Sequence, residues 1–155
     1  MNAEMKNTRY KRITKQIEDL IFKTEDPFAR MSTIAAVLHH KFDYYFWTGF
    51  YRLVNDELIA CCYQGNIACL VLPQNTGVCW EAINRKETVI ISDVNQFPNH
   101  IACDSRSKSE IVVPMKNRVG EITAVLDVDS KELNSFDKVD AENLEKIVAL
   151  IYQKC

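Results

Sequence analysis

The spacing of apolar and polar positions changes several times along the chain, and each change marks an element. From about Tyr10 to Lys23, Ile13, Ile17, Leu20 and Ile21 recur at helical spacing and form one apolar stripe. Asp26-Pro27, a capping acid followed by proline at the first helical position, predicts a second helix to about Lys41. Its buried face is Phe28, Met31, Ile34, Ala35 and Leu38. Tyr44 to Leu53 is rich in aromatics and reads as a strand. Asn55-Asp56 turns the chain, and Glu57 to Tyr63 returns as the second strand of a hairpin. Gln64 to Thr76 reads as loop, Gly77 to Arg85 as a short helix and Thr88 to Ile91 as a short strand. Ser92 to Ser109 is a long connection. Glu110 to Lys116 and Glu121 to Asp129 pair across Asn117-Arg118-Val119-Gly120, and a last helix runs from about Asp137 to Gln153.

Helices, antiparallel hairpins and a closing helix make an α+β fold. At 155 residues, a single domain with its own core is expected over 1–155: N-terminal helices over 10–41, sheet and loops over 44–130, and a C-terminal helix over 137–153. The formal charge of −2 and the absence of any Lys/Arg run argue against a nucleic-acid partner. No segment approaches the ~20 apolar residues that span a bilayer, and the polar start from Met1 to Arg12 is no signal peptide. The expectation is a cytoplasmic protein without membrane contact. Its 6 cysteines are then free, catalytic or metal-binding thiols, since disulfide scaffolds are short and secreted.

Three of those cysteines lie beside turn or acidic residues. Cys69 follows Gly65-Asn66-Ile67-Ala68, Cys79 follows Gly77-Val78, and Cys103 precedes Asp104 and Ser105. A thiolate is the strong nucleophile available near neutral pH, and converging thiols can run a redox cycle without a bound cofactor. The ordinary role of a free cysteine is burial, and the Asp104 charge by itself raises the Cys103 pKa. A protonated His100 would offset that charge. No CxxC pair is present, so a zinc ribbon fails; a metal site from Cys69, Cys79, Cys103 and His100 stays open, since ligands can converge from distant loops without paired spacing. Cys61-Cys62 falls within a strand, where neighbouring side chains face opposite ways. Glu110, Asp127 and Asp129 are a second feature. Asp127 and Asp129 are two apart in a strand, share a face, and suit a pocket for a cation such as an amino acid's ammonium. Solvated acids at a strand end are the commoner case. Trp47, Phe50 and Tyr51 could wall such a pocket or simply pack the core.

Taken together, several blocks resemble the GAF-domain free methionine-(R)-sulfoxide reductases. They are Phe46 to Tyr51, Gln64-Gly65 through Cys69, Gly77-Val78-Cys79, Asp93-Val94, Phe97 to Asp104, Ser107 to Pro114 and Val125 to Ser130. The resemblance covers about residues 44–150. It implies an antiparallel sheet with helices on one side and a loop-covered pocket on the other. It implies reduction of free methionine-(R)-sulfoxide, with Cys103 as nucleophile, Cys69 as resolving thiol, and Cys79 as an auxiliary or alternative resolver. Glu110, Asp127 and Asp129 would hold the substrate and assist protonation of its oxygen, with Trp47 and Tyr51 as the wall. Thioredoxin would be the reductant, with no cofactor and no metal, and a homodimer through the N-terminal helices is implied as well. The alternative is a GAF sensor for a small molecule with redox-responsive cysteines, which usually accompanies an output domain. Trp80 stands where the family has a small residue, and Ile67 where proline is frequent.

Overall fold

In the computed structural model, residues 1–100 and 103–155 are described. The helices are α1 (Ala3–Ile21), α2 (Pro27–Lys41), α3 (Gly77–Arg85) and α4 (Lys138–Ala149). The strands are β1 (Trp47–Val54), β2 (Glu57–Gln64), β3 (Val71–Leu72), β4 (Val89–Ile91), β5 (Ser109–Lys116) and β6 (Ile122–Ser130). They form one sheet in the order β3-β2-β1-β6-β5-β4, antiparallel at every pairing. The α+β architecture expected from the order of periods is the one observed. No helix among the described residues is long and apolar enough to cross a membrane.

The sheet divides the molecule. One face carries Phe50, Ile111, Val113, Leu126 and Val128 and packs against α1, α2 and α4. The other carries Trp47, Tyr51, Val112 and Val125 and packs against α3 and the loops around it. The alternation of side chains along each strand produces this partition. The pocket face therefore has a helix of its own, which corrects the expectation of helices on one side only. It bears Cys79.

Local chemistry explains the helix ends. Asp26 accepts a hydrogen bond from the Ala29 amide at 3.0 Å, with Pro27 behind it. Asp137 and Asp140 form a reciprocal cap on α4. Two boundaries differ from the sequence reading. α1 begins at Ala3, capped by Asn2, because its polar first turns are anchored by a contact far away in sequence. Lys6 Nζ donates to the fully buried Asp140 at 2.7 Å, and Tyr10 and Tyr44 hydroxyls donate to the same carboxylate at 2.7 Å. α4 ends at Ala149 instead of Gln153. The buried Arg30 guanidinium takes the carbonyls of Leu150, Ile151 and Gln153, drawing the last residues out of the helix. The strand β3 and a short 3-10 turn at Val94–Gln96 fall inside segments read as loop.

The Cys61-Cys62 expectation also changes. Phe50 pairs with Cys61 and Thr48 with Gln64, so Cys62 and Tyr63 together stand opposite Gly49. The extra residue is a β-bulge, with Cys62 at φ +51°. It keeps both sulfurs on the same face, 3.0 Å apart, instead of one on each.

Candidate active site

Three cross-strand rows build the floor of a cleft. Trp47 on β1, Asp129 on β6 and Glu110 on β5 are register partners; Gly49, Asp127 and Val112 form the next row; Tyr51, Val125 and Pro114 the third. Positions two apart share a face, so Trp47, Tyr51, Asp127, Asp129 and Glu110 converge although they lie up to 82 positions apart (129 − 47). Gly49 lets Tyr63 and Trp47 pack closely against the middle of this floor. A Cβ there would run into Tyr63 Cβ and come within 2.7 Å of Trp47 Cη2. Tyr63, turned to this face by the bulge, stacks on Trp47 at 5.3 Å between ring centroids, and Tyr51 stacks on Trp47 at 5.8 Å.

The roof comes from loops. Trp47 Nε1 donates to the Asn66 carbonyl at 3.0 Å, and Asn66 Nδ2 donates to Asp104 Oδ2 at 3.1 Å. These two bonds tie the Cys69 loop to the floor and to the Cys103 loop. Cys69 and Cys103 are joined as a disulfide with a Cα separation of 5.7 Å, within the ordinary range. Cys103 is the more exposed of the two. Ile101 and Ala102, part of the block that supports the family resemblance, lie outside the described residues. The cleft holds about 600 Å³ with its mouth included.

Electrostatics set the character of the floor. Glu110, Asp127 and Cys79 are buried, and one ligand-type atom from each lies within 4.8 Å of the others. Burial, then the neighbouring Asp127 and Asp129, pushes the Glu110 carboxyl well above its ordinary value. Burial likewise raises Asp127, partly offset by contact with Glu110 and Cys79. Asp129 is raised by burial, then by Asp127 and Asp104. Burial and the same acids push the Cys79 thiol up, so it stays protonated. Asp127 Oδ1 is buried with no hydrogen-bond partner among the described residues. No lysine or arginine is among the residues lining the cleft. An acidic hole with an unsatisfied acceptor suits a cationic ligand, and a carboxyl held protonated can donate a proton.

All eight singled-out residues, Cys69, Cys79, Cys103, Trp47, Tyr51, Glu110, Asp127 and Asp129, line this cleft or close it. The set Cys69, Cys79, Cys103 and His100 does not gather as metal ligands, because two of its sulfurs are bonded to each other. Burial lowers the pKa of His100, so it is no cation beside Cys103. Asp104 is instead neutralised by Arg106, whose Nε and Nη2 fork onto its two oxygens at 3.0 and 2.8 Å and hold it below the usual carboxylate range. Asn66 and the Asp104–Arg106 pair were not picked out as site residues in the sequence. The turn-forming Gly65-Asn66 pair ahead of Cys69 is the local signal for Asn66. Trp80 stays out of the cleft: it is buried behind it, with Nε1 3.5 Å from the Leu72 carbonyl of β3. Ile67 is 88% exposed.

Comparison with known proteins identifies the relatives of this chain. The GAF domain family profile matches residues 32–153. GAF domain-containing protein A of Dictyostelium discoideum is 42% identical, over 94% of this chain and 92% of its own. The free methionine-R-sulfoxide reductase of Escherichia coli is 39% identical, over 78% of this chain and 73% of its own. The free methionine-R-sulfoxide reductase of Neisseria meningitidis, solved in complex with its substrate, superposes with a TM-score of 0.88 at 39% identity, covering 92% of this chain and 86% of that one. The chain belongs to the GAF-domain free methionine-R-sulfoxide reductase family.

Proposed function

We infer that this protein reduces free L-methionine-(R)-sulfoxide to methionine. The observation that carries the reading is one cleft that joins the Cys69–Cys103 pair to the Glu110, Asp127 and Asp129 carboxyls under a wall of Trp47 and Tyr51. The substrate's ammonium sits against the carboxyls, where Asp127 Oδ1 has no partner, and its apolar methyl and methylene groups lie along the indole and phenol rings. The reduced Cys103 thiolate attacks the sulfoxide sulfur. The oxygen, taking up one proton, then bonds to Cys103 sulfur as the S–O bond and the new bond between the two sulfurs break; methionine leaves with the electron pair, reduced by two electrons, and Cys103 is left oxidised as a sulfenic acid. A carboxyl held protonated by burial and by its neighbours supplies the proton that the departing oxygen needs. Cys69 then displaces the hydroxide as water and closes the disulfide seen here. A dithiol protein of the thioredoxin class opens it by exchange and restores both thiols. Cys79, buried and protonated on the floor, shapes the acid cluster in this scheme.

The decisive experiment is a thioredoxin-coupled assay with both sulfoxide epimers, each free and within a peptide. Turnover is expected for the free R epimer alone, since a peptide bond removes the ammonium that the carboxyls hold. Binding without release of methionine would leave the sensor reading in its place.

A further inference from the structure

On the opposite face of the sheet from the cleft, the β2 bulge holds a second thiol pair. Cys61 and Cys62 Sγ are 3.0 Å apart, closer than two non-bonded sulfurs normally rest, and both residues are half-buried. Cys62 Sγ is 3.7 Å from the Phe28 carbonyl. The Arg52 guanidinium lies over the Phe28 ring at 4.8 Å, close enough to bear on the Cys62 charge. Arg52 Nε is buried and has no hydrogen-bond partner among the described residues. The reaction cycle above uses none of these groups.

We propose that Cys61 and Cys62 form a chelating dithiol for a soft, trivalent oxo-acceptor of the arsenite class, with Arg52 as donor to the oxygen that stays on it. The condensation balances without any oxidant: As(OH)3 and two thiols give (RS)2As–OH and two waters, with two S–H and two As–O bonds broken and two As–S bonds formed. A chelator needs two sulfurs on one side of the backbone at short range. An unbulged strand cannot offer that from adjacent residues, and the bulge at Cys62 does. The remaining As–OH oxygen is an acceptor, and Arg52, near enough to act on the Cys62 charge, carries a buried N–H that lacks one. Burial, then the neighbouring Cys61, pushes the Cys62 thiol up to about 12. Single-site alkylation, which needs a thiolate, is slow at such a thiol, while chelation proceeds from the protonated pair.

The test uses the oxidised chain, in which the Cys69–Cys103 disulfide removes the other close dithiol. Arsenite and phenylarsine oxide are the probes, read by protein mass and by free-thiol count. One arsenic per chain is expected, with two thiols lost. Cys61→Ser and Cys62→Ser each abolish the adduct, whereas Cys155→Ser keeps it. Circular dichroism and sulfoxide turnover of each variant report whether it is folded. Arg52→Met is expected to weaken arsenite about tenfold and phenylarsine oxide hardly at all, because the phenyl adduct carries no As–OH. Arsenic uptake that persists in Cys61→Ser/Cys62→Ser, or no uptake by folded oxidised protein, overturns the dithiol. Equal loss of both probes in Arg52→Met overturns the role of Arg52.

Discussion

At the scale of single residues, the buried acids oppose the stability of the fold. Glu110 has a pKa raised above its ordinary 4.5 by burial and by Asp127 and Asp129. A carboxyl whose folded pKa is the higher one favours the fold fully below its unfolded value. That contribution is lost as pH rises through the folded value. Glu110→Gln removes the titration. The variant is expected to melt above the parent at pH 8, with the gap closing as pH falls toward 4.5, while sulfoxide turnover drops at least tenfold. Thermal melts across pH check the first half. A gap that widens on acidification would contradict the direction given for Glu110. The cysteines separate by their step. Cys103→Ser is expected to lose all turnover with its fold intact, since no other exposed thiol faces the cleft. Cys69→Ser is expected to release about one methionine per chain and then stall, because the sulfenic acid has no partner to condense with. Sustained cycling of Cys69→Ser would show another thiol acting as resolver.

At the scale of elements, one bulge in β2 sets two things. It puts Cys61 and Cys62 on the helical face, and it shifts the phase so that Tyr63 turns back to stack on Trp47. Gly49 is the residue opposite, and the space that its missing Cβ leaves is filled by Tyr63 and Trp47. Gly49→Ala is therefore expected to raise the KM for the sulfoxide more than it lowers kcat, by displacing the aromatic wall and not the thiols. Its cost in stability should be about 1–3 kcal/mol, the usual range for overpacking, measurable by denaturant titration. Unchanged KM would mean that the wall does not contact substrate. The same bulge shows why some of the fold was hidden in the sequence. Strand and helix periods, the Asp26-Pro27 cap and the Asp127/Asp129 alternation are local signals, and they placed most elements and the acid floor. The bulge depends on pairing between β1 and β2. The length of α1 depends on Lys6 meeting Asp140, 134 positions away. The end of α4 depends on Arg30 reaching the carbonyls of Leu150, Ile151 and Gln153. No window along the chain contains those partners. The Cys69–Cys103 pairing was legible only through family resemblance, because three similar cysteines allow several pairings.

At the scale of the whole molecule, the proposed cycle sets the Cys69–Cys103 disulfide two demands that pull apart. It closes a loop with a sequence separation of 34, and the chain-entropy account gives such a cross-link about 4 kcal/mol of stabilisation. Folding and redox are linked: whatever the disulfide adds to the folded state lowers the reduction potential by the same free energy, about 30 mV for each 1.4 kcal/mol. A disulfide that kept the whole of that gain would approach the potential of structural bridges, below about −300 mV, and resist a reductant poised near −270 mV. A cycling disulfide must give part of it back. The geometry indicates where. The cross-link lies over loops on the cleft face, outside the helical core, and roofs the buried Glu110, Asp127 and Asp129. Reduction is expected to free those loops, since α1, α2 and α4 pack on the other face and make no use of the cross-link. The oxidised chain should accordingly be more stable than the reduced one by clearly less than about 4 kcal/mol, and its potential, measured against a defined dithiol couple, should lie above about −270 mV. Denaturation of both redox forms gives the first quantity, and the two must agree through linkage. A full loop-closure gain together with a potential below −300 mV would make Cys69–Cys103 a structural bridge and remove the basis for turnover.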